Sequence, residues 1–215
     1  MNKIFNTVAS KTEINYVQVL SRKQTIKAYK NWIDLSNTEN LLLKLFVNES
    51  TRILDLGCGT GRIPKSVVMN KDKYLGIDCS HEMINAAKIA NPNFEFVCED
   101  ILSPSKQYGY FDAVLLMNNV VDMLHPIQRR IDVFNLIKEY LTATGVLIFS
   151  SHLLHDNYKA DYYIEDYHGS IVNTYRSTMS ELCKEVEDYG FEIRIAARDY
   201  RVVIADWIYI VATLK

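Results

Sequence analysis

The sequence is poor in several features that would assign it to other classes of protein. Proline occurs at only four of 215 positions, and no segment rich in proline, glycine or serine divides the chain. No run of 18 apolar residues is present, and residues 1–10 lack the apolar core and small-residue cleavage site of a secretory signal. We therefore expect one domain over residues 1–215, located in the cytoplasm and without a membrane partner.

An excess of charge of one sign is also lacking. The chain has 24 Lys and Arg residues against 26 Asp and Glu residues, which gives a formal net charge of −2. This balance gives no global field that would attract nucleic acid, so a nucleic-acid partner is not expected. Apolar residues make up 48% of the chain, which is typical of a soluble globular domain and excludes a disordered one.

The sequence contains no C-x-x-C pair. Its four cysteines are far apart, at Cys58, Cys79, Cys98 and Cys183. A chain of this length can bury a core without disulfides, so we expect reduced thiols. The ligand spacing of structural zinc is missing as well, and no metal is expected.

The main pattern that is present is an alternation of short apolar runs with helical stretches. Strands are predicted at 52–56, 73–77, 93–98, 111–117, 145–151, 191–196 and about 202–212. Helices are predicted at 24–32, 38–47, 63–69, 81–90, 126–140 and 178–189. This alternation predicts an α/β fold with a doubly wound, mostly parallel sheet, helices on both faces and a helical N-terminal extension. The last two strands follow each other closely, which favours an antiparallel strand at the C-terminus.

A glycine-rich turn follows the first predicted strand. It reads D-x-G-x-G-x-G, with Asp55, Gly57, Gly59 and Gly61, and Arg62 stands where a dinucleotide fingerprint needs glycine. A carboxylate aimed into the turn repels a pyrophosphate but accepts a hydrogen bond from an ammonium group. No G-K-[ST] follows, which excludes a P-loop. The turn therefore favours a nucleoside with a cationic tail as the ligand.

Two more acids end the next two strands. Asp78 lies 23 residues after Asp55, where an α/β nucleotide site places the acid that binds ribose hydroxyls. Asp100 ends the third strand and could accept from an adenine amino group. Each acid alone could equally be a helix cap or a solvated turn residue, but together they line the crevice where open sheets bind ligands.

These motifs give the chain, from residue 52 to its end, a resemblance to the class I S-adenosylmethionine-dependent methyltransferases. The most specific part is ILDLGCGTGR at 53–62, and LGIDCSHEM, EDIL, YFDAVLLMNNVVDMLH and GVLIFSSH support it at 75–83, 99–102, 110–125 and 145–152. The resemblance implies a Rossmann-like sheet of seven strands with the last one antiparallel. It also implies S-adenosylmethionine as the cofactor and S-adenosylhomocysteine as its product.

The resemblance further implies a cofactor site within a core at 51–151. The implied cofactor-binding residues are Asp55, Gly57, Cys58, Gly59, Gly61, Asp78, Cys79, Met83, Asp100, Ile101, Met117 and Asn118. Asp55 would meet the ammonium group and Asp78 the ribose hydroxyls. A tyrosine on an N-terminal helix often reaches the cofactor in related enzymes, so Tyr29 is a candidate here, although a core or surface position is the favoured alternative for it. No N-P-P-Y tetrapeptide follows the fourth strand, so methylation of nucleobase amines is not expected.

The acceptor side is less well defined by the sequence. A hydroxyl acceptor needs its proton removed, and His152, directly after the fifth strand, is the first candidate for that base, with His125 second. Asn118 is a further candidate for a catalytic role. Each histidine could instead be a packed polar residue or a helix cap. The pattern His152-x-x-His155-Asp156 lacks a third spaced partner for a metal.

The segment 152–178 is expected to bind substrate or cover the site, ahead of a C-terminal helix and strands at 179–215. A hairpin is predicted between 162–164 and 171–175, with its turn at 168–169. Its tyrosines alternate with acids, which could hold a cationic acceptor, but a cover hairpin or a dimer contact explains them equally well. Lys23, Lys27 and Lys30 share a face of a helix within the N-terminal segment 1–50, either as a solvated face or as an RNA contact.

These observations predict a methyltransferase that acts on an oxygen or nitrogen atom of a small-molecule acceptor. Two alternatives stay open: a methyltransferase that acts on protein or RNA, and a cofactor-binding subunit without turnover. The chain is expected to be a monomer or a homodimer.

Overall fold

The computed structural model describes residues 3–8, 16–31, 34–67, 69–154, 158–167, 169–199 and 206–215. The helices are α1 (Tyr16–Leu20), α2 (Lys23–Asn31), α3 (Asn37–Phe46), α4 (Ile63–Ser66), α5 (His81–Ala90), α6 (Ile127–Tyr140) and α7 (Met179–Asp188). The strands are β1 (Lys3–Val8), β2 (Ile53–Leu56), β3 (Tyr74–Asp78), β4 (Glu95–Cys98), β5 (Phe111–Leu116), β6 (Leu141–His152), β7 (Asp161–Tyr167), β8 (Ser170–Arg176), β9 (Phe191–Asp199) and β10 (Trp207–Leu214).

Seven strands form the central sheet in the order β4-β3-β2-β5-β6-β10-β9. Strand β10 is antiparallel to both of its neighbours, whereas β2 to β6 pair in parallel. The predicted seven-stranded sheet with an antiparallel last strand is thereby confirmed. The strand order reverses between β2 and β5, and ligands of open α/β sheets bind outside the carboxyl ends of the strands at such a point.

The sheet has a hydrophobic core on each face. One core joins the sheet to α6 and α7 through Val133, Phe134 and Leu182, and the other joins it to α3 and α5 through Leu43 and Ala87. Every residue of β2 and β3 is buried, as expected for strands covered on both sides. Helices therefore lie on both faces, as predicted from the alternating pattern.

Several element boundaries differ from the prediction. The helix after the glycine turn ends at Ser66, and β6 begins at Leu141, four residues before the predicted Gly145. The N-terminal extension contains a strand, β1, which was not predicted, besides its helices. The predicted capping box at Thr178 is present, with the Thr178 hydroxyl accepting from the amide of Glu181.

A second sheet, which we call the cover sheet, has three strands in the order β1-β7-β8. Strands β7 and β8 form the predicted hairpin, with Tyr162 opposite Tyr175. Strand β1 adds to its free edge, with Lys3 opposite Asp166. In the part of the chain that the structure describes, no helix is long and apolar enough to cross a bilayer.

Candidate cofactor and acceptor site

A cavity of about 370 Å³ lies at the carboxyl ends of the parallel strands. All of the predicted cofactor-binding residues except Gly61 line it: Asp55, Gly57, Cys58, Gly59, Asp78, Cys79, Met83, Asp100, Ile101, Met117 and Asn118. The further lining residues are Leu20, Tyr29, Thr60, Arg62, Ile63, Val120, Met123, Leu124, His125 and Arg129. One cavity thus joins the glycine turn to the segment after β5 and to the N-terminal helices.

The glycine turn requires residues without side chains for two different reasons. Gly57 has φ +73°, and a Cβ placed there would lie 2.5 Å from the Val120 side chain. The same turn brings the Gly57 amide to the carbonyl of Ile77, at 2.7 Å. Gly61, with φ +74°, instead packs against α5, because its carbonyl accepts from the Asn91 side chain at 2.9 Å. The structure therefore places Gly61 behind the turn and outside the cavity lining.

Asp78 joins the glycine turn to the start of α5. Its carboxylate accepts hydrogen bonds from the backbone amides of Gly59, at 3.0 Å, and Ser80, at 2.8 Å. Burial raises the pKa of Asp78, and the two amides partly offset that rise. The result is a buried carboxylate that is fixed by the backbone and faces the cavity.

Asp55 lies at the base of the cavity and is 2% exposed. The Tyr74 hydroxyl donates to its Oδ2 at 2.6 Å. Burial raises the pKa of Asp55 to about 6, while the Tyr74 hydrogen bond and the charge of Arg62 act in the opposite direction. The protein therefore keeps a costly negative charge at this position.

Arg62, which replaces the third glycine of a dinucleotide fingerprint, carries a positive charge to the cavity wall. Its guanidinium donates to Glu39 through both terminal nitrogens, at 2.9 and 2.8 Å. Glu39 also accepts from the Ser36 amide in the capping box of α3. The S-x-x-E pattern was visible in the sequence, but its second role as the partner of Arg62 was not.

Asp100 is already paired within the protein. Both of its carboxylate oxygens accept from Arg129, at 2.7 and 2.8 Å, and one also accepts from the Leu102 amide at 3.0 Å. Both side chains are about two-fifths exposed, at 41% for Asp100 and 39% for Arg129. An Asp100 carboxylate that accepts from an adenine amino group, as predicted, would therefore also have to accept from Arg129. This ion pair was not predicted from the sequence.

Tyr29 reaches the cavity from α2. Its hydroxyl oxygen accepts from Nδ2 of Asn118 at 3.5 Å, and its ring lies near Gly59, where an added Cβ would be 4.0 Å from Cδ1 of Tyr29. Burial raises the pKa of Tyr29 well above its ordinary value, and the charges of Asp78 and Glu165 add to the rise. The sequence left the cofactor site, the core and the surface as alternatives for Tyr29, and in the structure this residue lies in the cavity wall.

The chain turns sharply after β5 through two left-handed asparagines. Asn118 has φ +62° and Asn119 has φ +56°, a conformation that few residues other than glycine adopt. The Ser150 hydroxyl accepts from both amides, at 2.7 Å from Asn118 and 3.4 Å from Asn119. A residue of β6 thus holds the strained turn that presents Asn118 to the cavity.

The two candidate histidines lie in different surroundings. His152 is outside the cavity lining: its Nδ1 is 3.0 Å from Asp122, and its ring contacts that of Trp207 in a tilted arrangement, at 4.1 Å between centroids. His125 lines the cavity, and its ring meets Tyr162 edge-on at 4.5 Å. Of the two candidate bases, the structure thus places His125 at the cavity and His152 outside its lining.

His155 and Asp156, whose pattern lacks a third partner for a metal, lie outside the described residues, as does the predicted turn residue His168. Among the residues that are described, no group of three or more His, Cys, Asp or Glu side chains could hold a metal ion.

The tyrosines and acids of the hairpin mostly interact within the chain. The Tyr162 hydroxyl donates to the carbonyl of Leu124 at 2.8 Å, and Tyr167 packs against Tyr29 at 6.3 Å between centroids. Glu165 pairs with Arg176 at 2.7 Å, with both side chains buried. None of the described hairpin acids lines the cavity, so of the alternatives that the sequence left open, the described residues do not form an acidic cradle for a cation.

Comparison with known proteins gives the same family as the motifs. A family model described as a methyltransferase domain matches residues 53–145. The chain is 32% identical over 107 residues to the methyltransferase-like protein YqeM of Bacillus subtilis, which covers 48% of this chain and 43% of that protein. It is also 32% identical over 108 residues to malonyl-[acyl-carrier protein] O-methyltransferase of Bacillus anthracis, which covers 48% of this chain and 38% of that protein. Both matches span less than half of the relative's length.

Solved structures extend the likeness over nearly the whole chain. A 1,6-didemethyltoxoflavin-N1-methyltransferase of Burkholderia thailandensis, with S-adenosylhomocysteine bound, has a TM-score of 0.72 at 15% identity and covers 97% of this chain and 94% of its own. The PH0226 protein of Pyrococcus horikoshii has a TM-score of 0.66 at 17% identity, and the match covers 95% of this chain and 100% of that protein. Identities this low show a shared fold. The family match over residues 53–145, the strand order and these shared folds together support a class I S-adenosylmethionine-dependent methyltransferase.

Proposed function

We propose that this chain transfers a methyl group from S-adenosylmethionine to an oxygen or nitrogen atom of a small molecule. The observation that carries the proposal is the cavity itself, which joins the glycine turn and Asp78 to a second wall that contains Asn118, Met123 and His125. The cofactor supplies a methyl group that is already activated by its sulfonium. The protein must hold the acceptor in line with that methyl group and exclude water.

The residues present fit the cofactor at each of its parts. Asp78, fixed by two backbone amides, can accept from both ribose hydroxyls. Asp55 and Arg62 lie close enough for the charge of each to affect the pKa of the other, and this pair of opposite charges matches an amino-acid zwitterion. Met83 and Ile101 provide apolar walls for an adenine ring.

Proton removal is the remaining task when the acceptor is a hydroxyl or a protonated nitrogen. His125 is the histidine that lines the cavity, so we assign the general base to it in place of His152. Asn118 lies beside Tyr29 at the same wall and can orient the acceptor through its side-chain amide.

A second candidate, methylation of a group carried by a protein, rests on a separate groove. Lys23, Lys27 and Lys30 line a groove of about 430 Å³ between α2 and α5. None of the three forms an ion pair with another described residue. The relative from Bacillus anthracis is named for an acceptor on acyl carrier protein. An acidic carrier would complement the lysines.

Cofactor binding is tested by calorimetry with S-adenosylhomocysteine, with NAD as the negative control. We expect Asp78→Ala to weaken binding by about 1.5–3 kcal/mol, because hydrogen bonds to a charged group are lost. Asp72→Ala, an exposed acid away from the cavity, is the matched control. Stronger binding of NAD than of S-adenosylhomocysteine would contradict the proposed function.

The class of acceptor is tested with cofactor that carries an isotopically labelled methyl group. Cell extract is separated into small-molecule, protein and RNA fractions after incubation. Label in the small-molecule fraction is the expected result, label in protein or RNA would favour the second class of acceptor, and binding without transfer would indicate a subunit without turnover.

A further inference from the structure

We infer that the acceptor subsite lies beneath the cover sheet and takes an uncharged, largely apolar small molecule whose reacting O–H or N–H group faces His125. This inference rests on the proposed methyl transfer and specifies its substrate class. Three observations carry it: the apolar wall, the charge balance around that wall, and the way in which His125 is held.

The wall is apolar because it is part of a small hydrophobic cluster. Leu20, Tyr29 and Met123 line the cavity and also pack against Tyr167 and Val172 of the cover sheet. The N-terminal helices and the cover sheet therefore build this wall together. A methionine side chain adapts to different shapes and makes favourable contacts with aromatic rings, so a flat, apolar ligand fits here.

The carboxylates near this wall already have partners. Glu165 is paired with Arg176 at 2.7 Å and also accepts from Thr174 at 3.2 Å. Asp122 accepts from the Ser151 hydroxyl at 2.5 Å and from the backbone amide of His152 at 2.9 Å.

A cationic acceptor would therefore lose its hydration without gaining a counter-charge. It would also stand beside the positive sulfonium. Of the three carboxylates that line the cavity, Asp55 and Asp78 are those that the proposed function assigns to the cofactor, and Asp100 is paired with Arg129. An acceptor without charge avoids both costs.

His125 is positioned by the hairpin. The Tyr162 ring meets the His125 ring edge-on at 4.5 Å, and the Tyr162 hydroxyl donates to the preceding carbonyl, that of Leu124, at 2.8 Å. Tyr175 supports the Tyr162 ring from the neighbouring strand, at 5.2 Å between centroids. Tyr162 is thus a positioning residue, which acts on the reaction through His125.

The resulting step is balanced in atoms and charge. A lone pair of the acceptor oxygen or nitrogen forms a bond to the methyl carbon as the carbon–sulfur bond breaks. The electron pair of the broken carbon–sulfur bond stays on sulfur. The acceptor proton passes to a ring nitrogen of His125 and then to solvent. The products are the methylated acceptor, S-adenosylhomocysteine and one proton.

The test uses the full chain saturated with S-adenosylhomocysteine and three phenols as probes, titrated by NMR at pH 7. The probes are 4-ethylphenol, which is uncharged and apolar, tyrosol, which adds a hydroxyl, and tyramine, which adds an ammonium group in its place. We expect 4-ethylphenol to bind most tightly and tyramine at least about 10-fold more weakly than tyrosol, because an unpaired buried charge is disfavoured. Equal affinities, the reverse order, or no binding of any probe would overturn the inference.

Variants locate the binding. Met123→Gln keeps the side-chain volume but makes the wall polar, and we expect it to lower the affinity for 4-ethylphenol at least about fivefold. The control is Ile171→Gln on the exposed side of the cover sheet, where Ile171 is 55% exposed. Tyr162→Phe, which keeps the ring and loses the hydrogen bond to Leu124, should weaken 4-ethylphenol and leave the affinity for S-adenosylhomocysteine within twofold.

The His125 ring provides a readout that a purely structural role of Tyr162 would not change. We expect 4-ethylphenol to shift the NMR signals of the His125 ring, assigned by their loss in His125→Gln, and Tyr162→Phe to reduce that shift at saturation. Saturation of the wild type without a shift would overturn the placement. Failure of S-adenosylhomocysteine to bind would refute the proposed function itself, whereas binding of S-adenosylhomocysteine with the wrong order of phenols would refute this inference alone.

Discussion

Asp55 is the residue at which function and stability are expected to conflict most directly. Its carboxylate is buried at the base of the cavity, and burial raises its pKa from 3.8 to about 6. A rise of about two pKa units corresponds to about 3 kcal/mol. We predict that Asp55→Asn makes the free protein more stable and binds S-adenosylhomocysteine more weakly.

The sign of the pH dependence follows from the direction of the shift. The folded protein holds a proton on Asp55 up to about pH 6, whereas the unfolded chain releases it near pH 3.8. The free energy of unfolding of the wild type should therefore fall as pH rises between these two values. Asp55→Asn removes this term and can still accept from the Tyr74 hydroxyl through its side-chain carbonyl oxygen. The gain in stability should reach about 1–3 kcal/mol at pH 8 and shrink towards pH 5.

Urea unfolding of the free protein at pH 5, 6, 7 and 8 measures this difference, and calorimetry at pH 8 measures the affinity. The control is Asp72→Asn, at an exposed acid in a 3-10 helix. A variant that is less stable than the wild type by the same amount at every pH would refute the reasoning, because Asp55 would then stabilise the fold instead of straining it.

Three further variants test the supports of the cavity. Glu39→Gln breaks the buried pair with Arg62 and should lower the free energy of unfolding by about 3–5 kcal/mol in urea. Gly57→Ala forces a side chain into a left-handed turn against Val120, so calorimetry should show at least about 10-fold weaker binding of S-adenosylhomocysteine. Ser150→Ala leaves two amides of the strained turn without their acceptor, which should lower the free energy of unfolding by about 1–3 kcal/mol.

Each of these variants has a matched control. Lys184→Ala removes an exposed ion pair with Asp188 and should change stability by at most about 1 kcal/mol. Gly169→Ala also places alanine at a positive φ, but among the described side chains its Cβ would approach none closer than 3.5 Å, and Gly169 does not line the cavity, so binding should be unchanged. Ser50→Ala, at an exposed serine, is the control for Ser150→Ala. Equal effects in a variant and its control would contradict the role given to that residue.

The central sheet could be predicted because its signals are local. Strands buried on both faces appear as continuous apolar runs, as in β3, and each is bounded by a turn or a capped helix. The meeting of the acids at one cavity was predictable for the same reason, because Asp78 ends a strand and parallel strands bring their carboxyl ends to one edge.

The remaining parts depend on contacts between distant segments. Both His125 and His152 come after predicted strands, so their positions in the sequence could not show which of them faces the cavity. The His152 ring is held away from the cavity by Asp122, which is far from it in sequence. The partners of Arg62 and Asp100 were also unpredictable, because each comes from a helix that the local pattern does not connect to the site.

The pairing of β1 with β7 has a consequence for the order in which the molecule assembles. It joins Lys3 to Asp166, one of the longest sequence separations in the structure, so this edge can close only after most of the chain between them is present. Contacts of this kind open at a lower free-energy cost than a central sheet. We therefore expect amide hydrogens of β1 and β7 to exchange with solvent before those of β2 and β5, and a ligand seated beneath the cover sheet to slow exchange at that edge first.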